Sequence, residues 1–444
     1  MSGRLSRRKF LYGAAAGLAL GRGWAQTPPD YRLEIAPMAL EIAPGKVIHT
    51  FGYNGQAPGP LLRWPEGKPV RVAVTNRTDT PEIVHWHGMF NPPAMDGAME
   101  EGSPMIAPGA TFEYAFTPRP AGFRWYHTHT FAGHNLKKGL YGAQYGCFYV
   151  EPKSDPGAYD QELFLTLHDW KGYMGGGGDS TMDVLYDYAT IDGRMLGHAD
   201  PIRVREGQRV LVHLLNASAT VTHWLALSGH ELEVVAMDGN AVPRPAKMRA
   251  VRLGPAERLD LLIQMNHPGV WVLGETREAI RSVGMGIVVE YANATGAPQW
   301  VDPPETNWDY SAFAAAAVVP EPDERIPLLF QSKFKGHGEF DYWMINGKSW
   351  PKTDTISLRE GKRYRLVMTN PSMDDHPVHL HRHTFEVTSL AGKPMSGLRK
   401  DVVIVKAGTV AEVDFVANNP GATLFHCHQQ SHMDLGFMML FAYR

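Results

Sequence analysis

Short runs in which apolar and polar residues alternate recur along this chain, and three of them are copies of one another. Val70 to Asn76 reads V-R-V-A-V-T-N, Arg209 to Asn216 reads R-V-L-V-H-L-L-N, and Tyr364 to Asn370 reads Y-R-L-V-M-T-N. Alternation of this kind predicts a strand with one face buried. Each run follows an acidic-Gly turn, at Glu66-Gly67-Lys68, Glu206-Gly207-Gln208 and Glu360-Gly361-Lys362, and each closes on Asn. A second marker follows every copy, from Pro108-Gly109 to Gly122, from Pro255 to Gly269, and from Ala407-Gly408 to Gly421. The chain therefore reads as three copies of one β-sandwich, an all-β protein. Residues 26–152, 157–295 and 323–444 are the expected domains. The stretch 296–322, with Gly296, Pro298, Pro303, Pro304 and an Ala run, is expected to be a linker crossing the surface.

Counting from these anchors separates the copies by chemistry. Nine and eleven residues after the Asn stand His85 and His87 in the first copy and His379 and His381 in the third, but Leu225 and Leu227 in the middle one. Five and seven residues after the second marker's Gly stand His127 and His129, then His426 and His428, but Gly274 and Thr276 in the middle. The middle copy is thus expected to be a spacer, and the outer copies to bind metal between them once both are folded and docked. A single His-x-His pair is weak evidence; four at equivalent places are strong. On an extended segment Cys427 faces away from His426 and His428. One strand then serves two centres back to back; a thiolate with imidazoles suits copper or zinc, and one Cys with two His and a weak or absent axial ligand is the blue-copper pattern. His376 lies off the alternation of His379 and His381, on the side that Cys427 faces. His383 continues their parity but sits at the strand end, as a supporting or surface residue. The middle copy's His168, His198, His213, His223, His230 and His267 show no such pairing and read as surface or core histidines.

Composition adds export and removes some partners. The 444 residues are 44% hydrophobic and 20% charged, with 45 Gly and 33 Pro, a turn-rich globular balance. Ser6-Arg7-Arg8-Lys9-Phe10-Leu11, the short apolar run to Leu20, and Gly23-Trp24-Ala25 read as a twin-arginine export signal over residues 1–25. Its removal deletes Arg4, Arg7, Arg8, Lys9 and Arg22 and no acid, taking the formal net charge from −3 to −8. A mildly acidic exported protein is a poor partner for nucleic acid, and no later segment has the length to span a bilayer. Gly175 to Gly178 lack the lysine and helix start of a phosphate loop. Of the two cysteines, Cys147 reads as core. If Cys427 is a ligand, no intramolecular disulfide is possible.

The four motifs, H-W-H-G at 85–88, W-Y-H-T-H at 125–129, H-P-V-H-L-H-R-H at 376–383 and H-C-H-Q-Q-S-H at 426–432, resemble the ligand segments of the three-domain multicopper oxidases. The resemblance to this laccase-like family spans essentially the whole mature chain. It implies three consecutive cupredoxin-like Greek-key sandwiches and four copper ions. His376, Cys427 and His432 would bind the type 1 copper, and His85 and His379 the type 2 copper. His87, His127, His129, His381, His426 and His428 would bind the type 3 pair. Dioxygen would be the electron acceptor and a small reducing substrate the donor, in the periplasm or another exported compartment. Reduction to two waters needs four electrons delivered singly, hence an inlet site feeding a cluster that stores several.

Departures from the family pattern concern tuning. Phe437 stands five residues after His432, where many relatives place an axial Met, and would leave the type 1 copper three-coordinate with a raised potential; a register shift that brings the next residue, Met438, to the copper is the competing reading. Met433 then Asp434 replace the Glu that many bacterial members carry after this histidine. Asp96, in a D-G turn, matches the family's acidic position near the type 2 copper, so Asp96 and Asp434 are the candidates for handling protons. Met95, Met99 and Met105 read as packing, and no Met-rich insert precedes the third domain. That favours phenolic or other aromatic reductants over a metallo-oxidase for Cu(I), Fe(II) or Mn(II), and the complete ligand set disfavours an exported scaffold without catalysis.

Overall fold

A computed structural model describes residues 28–153, 157–175, 183–316, 318–335 and 341–444. The export signal at 1–25, and Gly176 to Gly178 of the glycine run, lie outside the described residues. Six sheets form, two for each third of the chain: two of four strands, then six with five, then six with five again. In every third the repeated strand, Val70–Asn76, Arg209–Asn216 or Arg363–Asn370, lies between a parallel partner and an antiparallel one. Its alternate apolar residues fill the space between the two sheets; in the first third Val70, Val72 and Val74 meet Trp64, Trp86 and Phe148 of the facing sheet. Among the described residues no helix is long and apolar enough to cross a membrane.

The threefold Asn has a physical purpose. Buried Asn76, Asn216 and Asn370 each donate from Nδ2 to a carbonyl of the opposite side of the sandwich, Ile106, Leu253 and Val405, at 2.8 to 2.9 Å. The same amide also donates to a carbonyl in the loop that follows. That carbonyl is four residues on in the outer copies, Thr80 and Asp374, and five on in the middle copy, Val221. This extra residue corrects the count made from sequence. The register pairs His85 with His127 and His379 with His426, and in the middle copy pairs Ala226 with Gly274. The counterparts of the first pair are therefore Ala226 and Ser228, not Leu225 and Leu227.

The stretch 296–322 is not a loose surface linker. Trp308, Tyr310, Phe313 and Ala314 are buried and join the core, with a short 3-10 turn at Tyr310–Ala312 whose preceding Asp309 accepts from the Ser311 amide. Its Pro and Ala content hides three aromatics at irregular spacing, a pattern that no strand or helix period detects.

Two middle-domain histidines are buried cations rather than passive core. His223 lies 2.9 Å from both Asp169 and Glu275. Burial opposes its charge, but the two carboxylates outweigh burial and lift its pKa to about 9. His213 is lifted to about 9 in the same way between Asp260 and Glu162. Glu162, bonded also to Arg63 of the first domain, is held at about 2 chiefly by the His213 hydrogen bond. Burial would raise Glu275, but His223 and Arg277 hold it at about 2. A histidine raised from 6.5 stabilises fully below that pH and ceases to as pH climbs through about 9. A glutamate lowered from 4.5 stabilises fully above that pH and ceases to as pH falls through about 2. The joint contribution is thus greatest between pH 4.5 and 6.5. Thermal unfolding followed across pH 4 to 10 is expected to show the midpoint falling on the alkaline side, and His223→Gln to flatten that limb; an unchanged limb refutes the assignment.

Candidate metal centres

The strand His376–Leu380 lies antiparallel to Ala422–Cys427, with Val378 opposite Cys427 and His379 opposite His426. Alternation sends Cys427 to one face of the sheet and His379 and His426 to the other. On the first face, His376 Nδ1 and His432 Nδ1 lie 3.6 and 3.5 Å from Cys427 Sγ and 3.1 Å from each other. His432 arrives from the short helix Gln430–Asp434. Burial holds His376 well below the usual imidazole range and His432 at about 3, and pushes the Cys427 thiol up. Two neutral imidazoles and a dry sulfur that only a nearby cation would ionise form a donor set that fits copper.

Aromatic rings enclose this site. Trp343 lies 4.2 Å from the His432 ring and 4.6 Å from the His376 ring, and Phe437 lies 4.8 Å from His376. The Trp343 backbone is pinned: its amide donates to Leu435 O and its carbonyl accepts from Ser349 Oγ. Gly436 makes room for that approach, since a Cβ there would sit 2.7 Å from the Trp343 carbonyl. Of the two residues weighed for the axial position, Phe437 faces the site. Met438 pairs with His426 and packs with Leu424, Met433 and Ala98, so the register that would bring Met438 to the sulfur is not adopted.

On the other face eight histidines meet across the seam between the first and third domains, all 5% exposed or less. His85 stacks on His381 at 3.9 Å and His87 on His379 at 3.8 Å, so each domain's first pair crosses the other's as a pseudo-twofold axis requires. One ring nitrogen of most is spent on the protein. His85 Nδ1 donates to Asp96 O, His127 Nδ1 to Thr128 O, His379 Nδ1 to Asp401 O and His426 Nδ1 to Cys427 O, at 2.6 to 2.8 Å. His87 uses Nε2 on Asp401 Oδ1 at 3.1 Å, and His381 uses Nδ1 on Asp96 Oδ2 at 2.9 Å. The opposite nitrogens, His85 Nε2, His87 Nδ1, His127 Nε2 and His379 Nε2, are buried without a hydrogen-bond partner, as are both ring nitrogens of His129 and His428. Burial lowers His87, His127, His379, His381, His426 and His428 well below the imidazole range and His129 to about 3. Neutral rings with their N–H groups directed outward present lone pairs inward, which is the ligating state. Each lone pair left without a partner costs about 1–3 kcal/mol. Several metal ions would relieve that cost together.

Acidic residues sort differently from expectation. Asp96 is buried at the end of the short helix Pro93–Asp96 and touches both His85 and His381, so the turn reading and the cluster reading describe one feature. Asp434 lies among amides. Its carboxylate accepts from the Ala132 and Gly133 amides and from Gln430, clamping the short helix onto the loop after His129 instead of meeting an imidazole, while burial raises its pKa to about 7. Two carboxylates escaped the sequence reading. Glu101 lies 3.5 Å from His381 and accepts from the Leu424 amide, and burial together with Asp96 raises its pKa well above the usual range. Asp401 holds His87 and His379. No local spacing marks either, because their partners are distant in sequence. His383 turns away after the strand ends and bonds Tyr443. Of the three methionines read as packing, Met95 packs on the first core, whereas Met99 and Met105 are exposed.

Comparison with known proteins agrees with this arrangement. Family profiles described as multicopper oxidase match residues 35–154, 165–290 and 321–444. A multicopper oxidase of Mycobacterium tuberculosis, MmcO, is 31% identical over 92% of this chain and 84% of its own length. The crystal structure of a multi-copper oxidase from Pseudomonas thermotolerans superposes with a TM-score of 0.74 at 29% identity, covering 93% of this chain and 98% of that one. Fet3p, a multicopper oxidase that functions in iron import, shares the fold with a TM-score of 0.80 at 21% identity, covering 93% and 90%.

Gly97, with φ +90°, ends the helix that carries Asp96, and a Cβ there would meet Val84 O at 1.8 Å. Gly97→Ala is therefore expected to destabilise the protein by more than about 1 kcal/mol and to lower its copper retention, as measured by denaturant unfolding and metal analysis. A stable variant with full copper contradicts the coupling of turn and site.

Proposed function

The chain belongs to the multicopper oxidase family, and from that premise we propose a role for each ligand position. His376, Cys427 and His432 hold a type 1 copper, His85 and His379 a type 2 copper, and His87, His127, His129, His381, His426 and His428 a type 3 pair, four ions in all. The observation that carries this reading is the set of inward, unpartnered ring nitrogens in the seam, beside a Cys and two His converging within 3.6 Å. Bound copper supplies one-electron acceptance at the cysteine site and four-electron reduction of dioxygen to two waters at the cluster. The residues do the rest. His376, His432 and the Trp343 and Phe437 rings keep water from the sulfur. Cys427 and the two ligands that flank it in sequence form the shortest covalent route between centres, reinforced by the His426 Nδ1 bond to Cys427 O. Asp96, in contact with His85 and His381, is the candidate carboxylate for relaying protons at the cluster edge.

The reductant is an aromatic, most simply a phenol. His432 is 8% exposed with buried Trp343 packed against its ring, so electrons would enter by contact at its exposed edge, which suits a flat apolar ring better than a hydrated ion. A hydrated cation would want free carboxylates there, and Asp375, adjacent to His376, is spent on Arg252 at 2.7 Å. The signal at residues 1–25 directs the protein through the twin-arginine route to the periplasm or another exported compartment.

The copper-loaded protein is expected to be blue, and Cys427→Ser to lose the thiolate charge-transfer band and steady-state turnover while keeping its far-ultraviolet circular dichroism; a variant that stays blue removes Cys427 from the site. A panel of phenols, Cu(I), Fe(II) and Mn(II) compared by kcat/KM under air is expected to favour phenols by at least about tenfold, a difference of 1.4 kcal/mol in transition-state stabilisation. Preference for a metal ion makes the protein a metallo-oxidase, and failure with every reductant makes it a scaffold.

A further inference from the structure

The middle domain donates no ligand, yet it reaches the cluster. Six charged side chains meet where the three domains join: Arg124 from the first, Asp238, Glu257 and Arg258 from the second, Lys400 and Asp401 from the third. All are 1% exposed or less, and they balance as three cations and three anions. Asp401 is their hub. Arg258 grips its carboxylate with both Nη atoms, at 2.5 and 2.7 Å, and Arg124 adds a third contact at 3.2 Å. Asp238 accepts from the Arg258, Asp401 and Val402 amides and pairs with Lys400 at 2.9 Å, which also meets Glu257 at 3.1 Å. Gly88 lets this cluster close on the first domain, because a Cβ there would sit 2.6 Å from Asp401 Oδ2 and 3.1 Å from Arg258 Nη2.

The hub touches one histidine from each outer domain. Asp401 Oδ1 accepts from His87 Nε2–H, and Asp401 O accepts from His379 Nδ1–H. These two rings stack at 3.8 Å across the seam. His87, His379 and Asp401 together also form a group close enough to hold a metal ion. What decides between ligand and acceptor is charge. A carboxylate already neutralised by a two-pronged guanidinium and touched by a second has little left for an ion, but accepts an N–H well. With Asp401 kept as acceptor, His87 carries its proton on Nε2 and turns Nδ1 inward, and His379 turns Nε2 inward.

We propose that Arg258, from the domain without ligands, is a positioning residue of the trinuclear cluster, acting through Asp401 to set the tautomer and orientation of His87 and His379. The inference rests on the ligand assignment above. Loss of the guanidinium leaves a buried carboxylate with one partner fewer, so the acceptor that orients His87 and His379 is no longer held in place. The middle domain is then required at the cluster, not a spacer.

The test compares Arg258→Gln, Arg258→Lys and His223→Gln in the full chain loaded with copper, by metal analysis, blue absorption and electron paramagnetic resonance. Fewer than four ions in the unsubstituted protein refutes the ligand assignment itself. With four present, Arg258→Gln is expected to keep the blue band and to lose the type 2 resonance at least twofold, with about one copper ion lost. Arg258→Lys keeps charge but not the fork, so it is expected to retain copper with a shifted type 2 hyperfine splitting. If Arg258→Gln does not fold, the Arg258→Lys spectrum decides. His223→Gln lowers stability in the same domain away from the cluster and is expected to leave both spectra unaltered. An unshifted type 2 signal in the Arg258 variants, or an equal change in His223→Gln, overturns the proposal.

Discussion

Six of the eight imidazoles at the seam carry a buried ring nitrogen without a partner, an unstable arrangement by itself, and much of the tertiary structure exists to hold them there. Each ring is kept in place by a hydrogen bond on its outer nitrogen or by the rings packed against it. Those outer acceptors are mostly backbone carbonyls and two buried carboxylates, which do not move without moving a strand. The donor set is thus oriented by the protein's own hydrogen bonds and packing, and ordering of that kind favours a bound ion because less remains to be done on binding. The cost is borne by folding: both outer domains must dock for the seam to close, and the middle domain's arginine must neutralise Asp401 at its edge.

The three sandwiches also share a second polar position that alternation predicts but counting did not find. Glu82, His223 and His376 stand opposite Ile106, Leu253 and Val405, and Thr128, Glu275 and Cys427 stand opposite Val84, Leu225 and Val378. The same place in each sandwich thus holds a polar pair, satisfied three ways. In the third it is the cysteine site, with Ser372 Oγ 3.1 Å from His376 Nε2. In the second, Ser218 Oγ lies 3.1 Å from His223 Nε2 and the ring is charged between two carboxylates. In the first, Glu82 accepts from Gln144, and burial raises its pKa to about 7. A buried polar position must be satisfied by a hydrogen bond, a charge or a metal. One geometry gathers a donor set that fits a metal in one domain and simply holds the fold together in another.

Legibility followed the range of the interactions. The four His-x-His pairs were readable because strand alternation is a local rule, and so was the separation of Cys427 from its two neighbours. The slip from Ala226 to Leu225 arose in a loop, where one added residue costs little and leaves no mark. Asp434 looked chemical because it follows His432, but its neighbours in space are the amides of Ala132 and Gly133. The aromatic strap at Trp308, Tyr310 and Phe313 was taken for a linker because its composition was weighed without the surface it would cover.

The amino-acid order alone determined that the chain repeats three times as an all-β fold, that the paired histidines sit in the outer copies, and that one strand turns Cys427 and its flanking histidines to opposite faces. These follow from periodicity, which each segment carries within itself. Tertiary structure decided which carboxylates meet the rings, that Phe437 and not Met438 lies beside the cysteine site, and that a ligand-free domain reaches the cluster through Arg258. Such choices depend on contacts between residues far apart in the chain, 285 positions from Asp96 to His381 and 143 from Arg258 to Asp401. Burial there turns a carboxylate into an acceptor, a clamp or a counter-ion according to the charge it meets, and no local pattern records that charge.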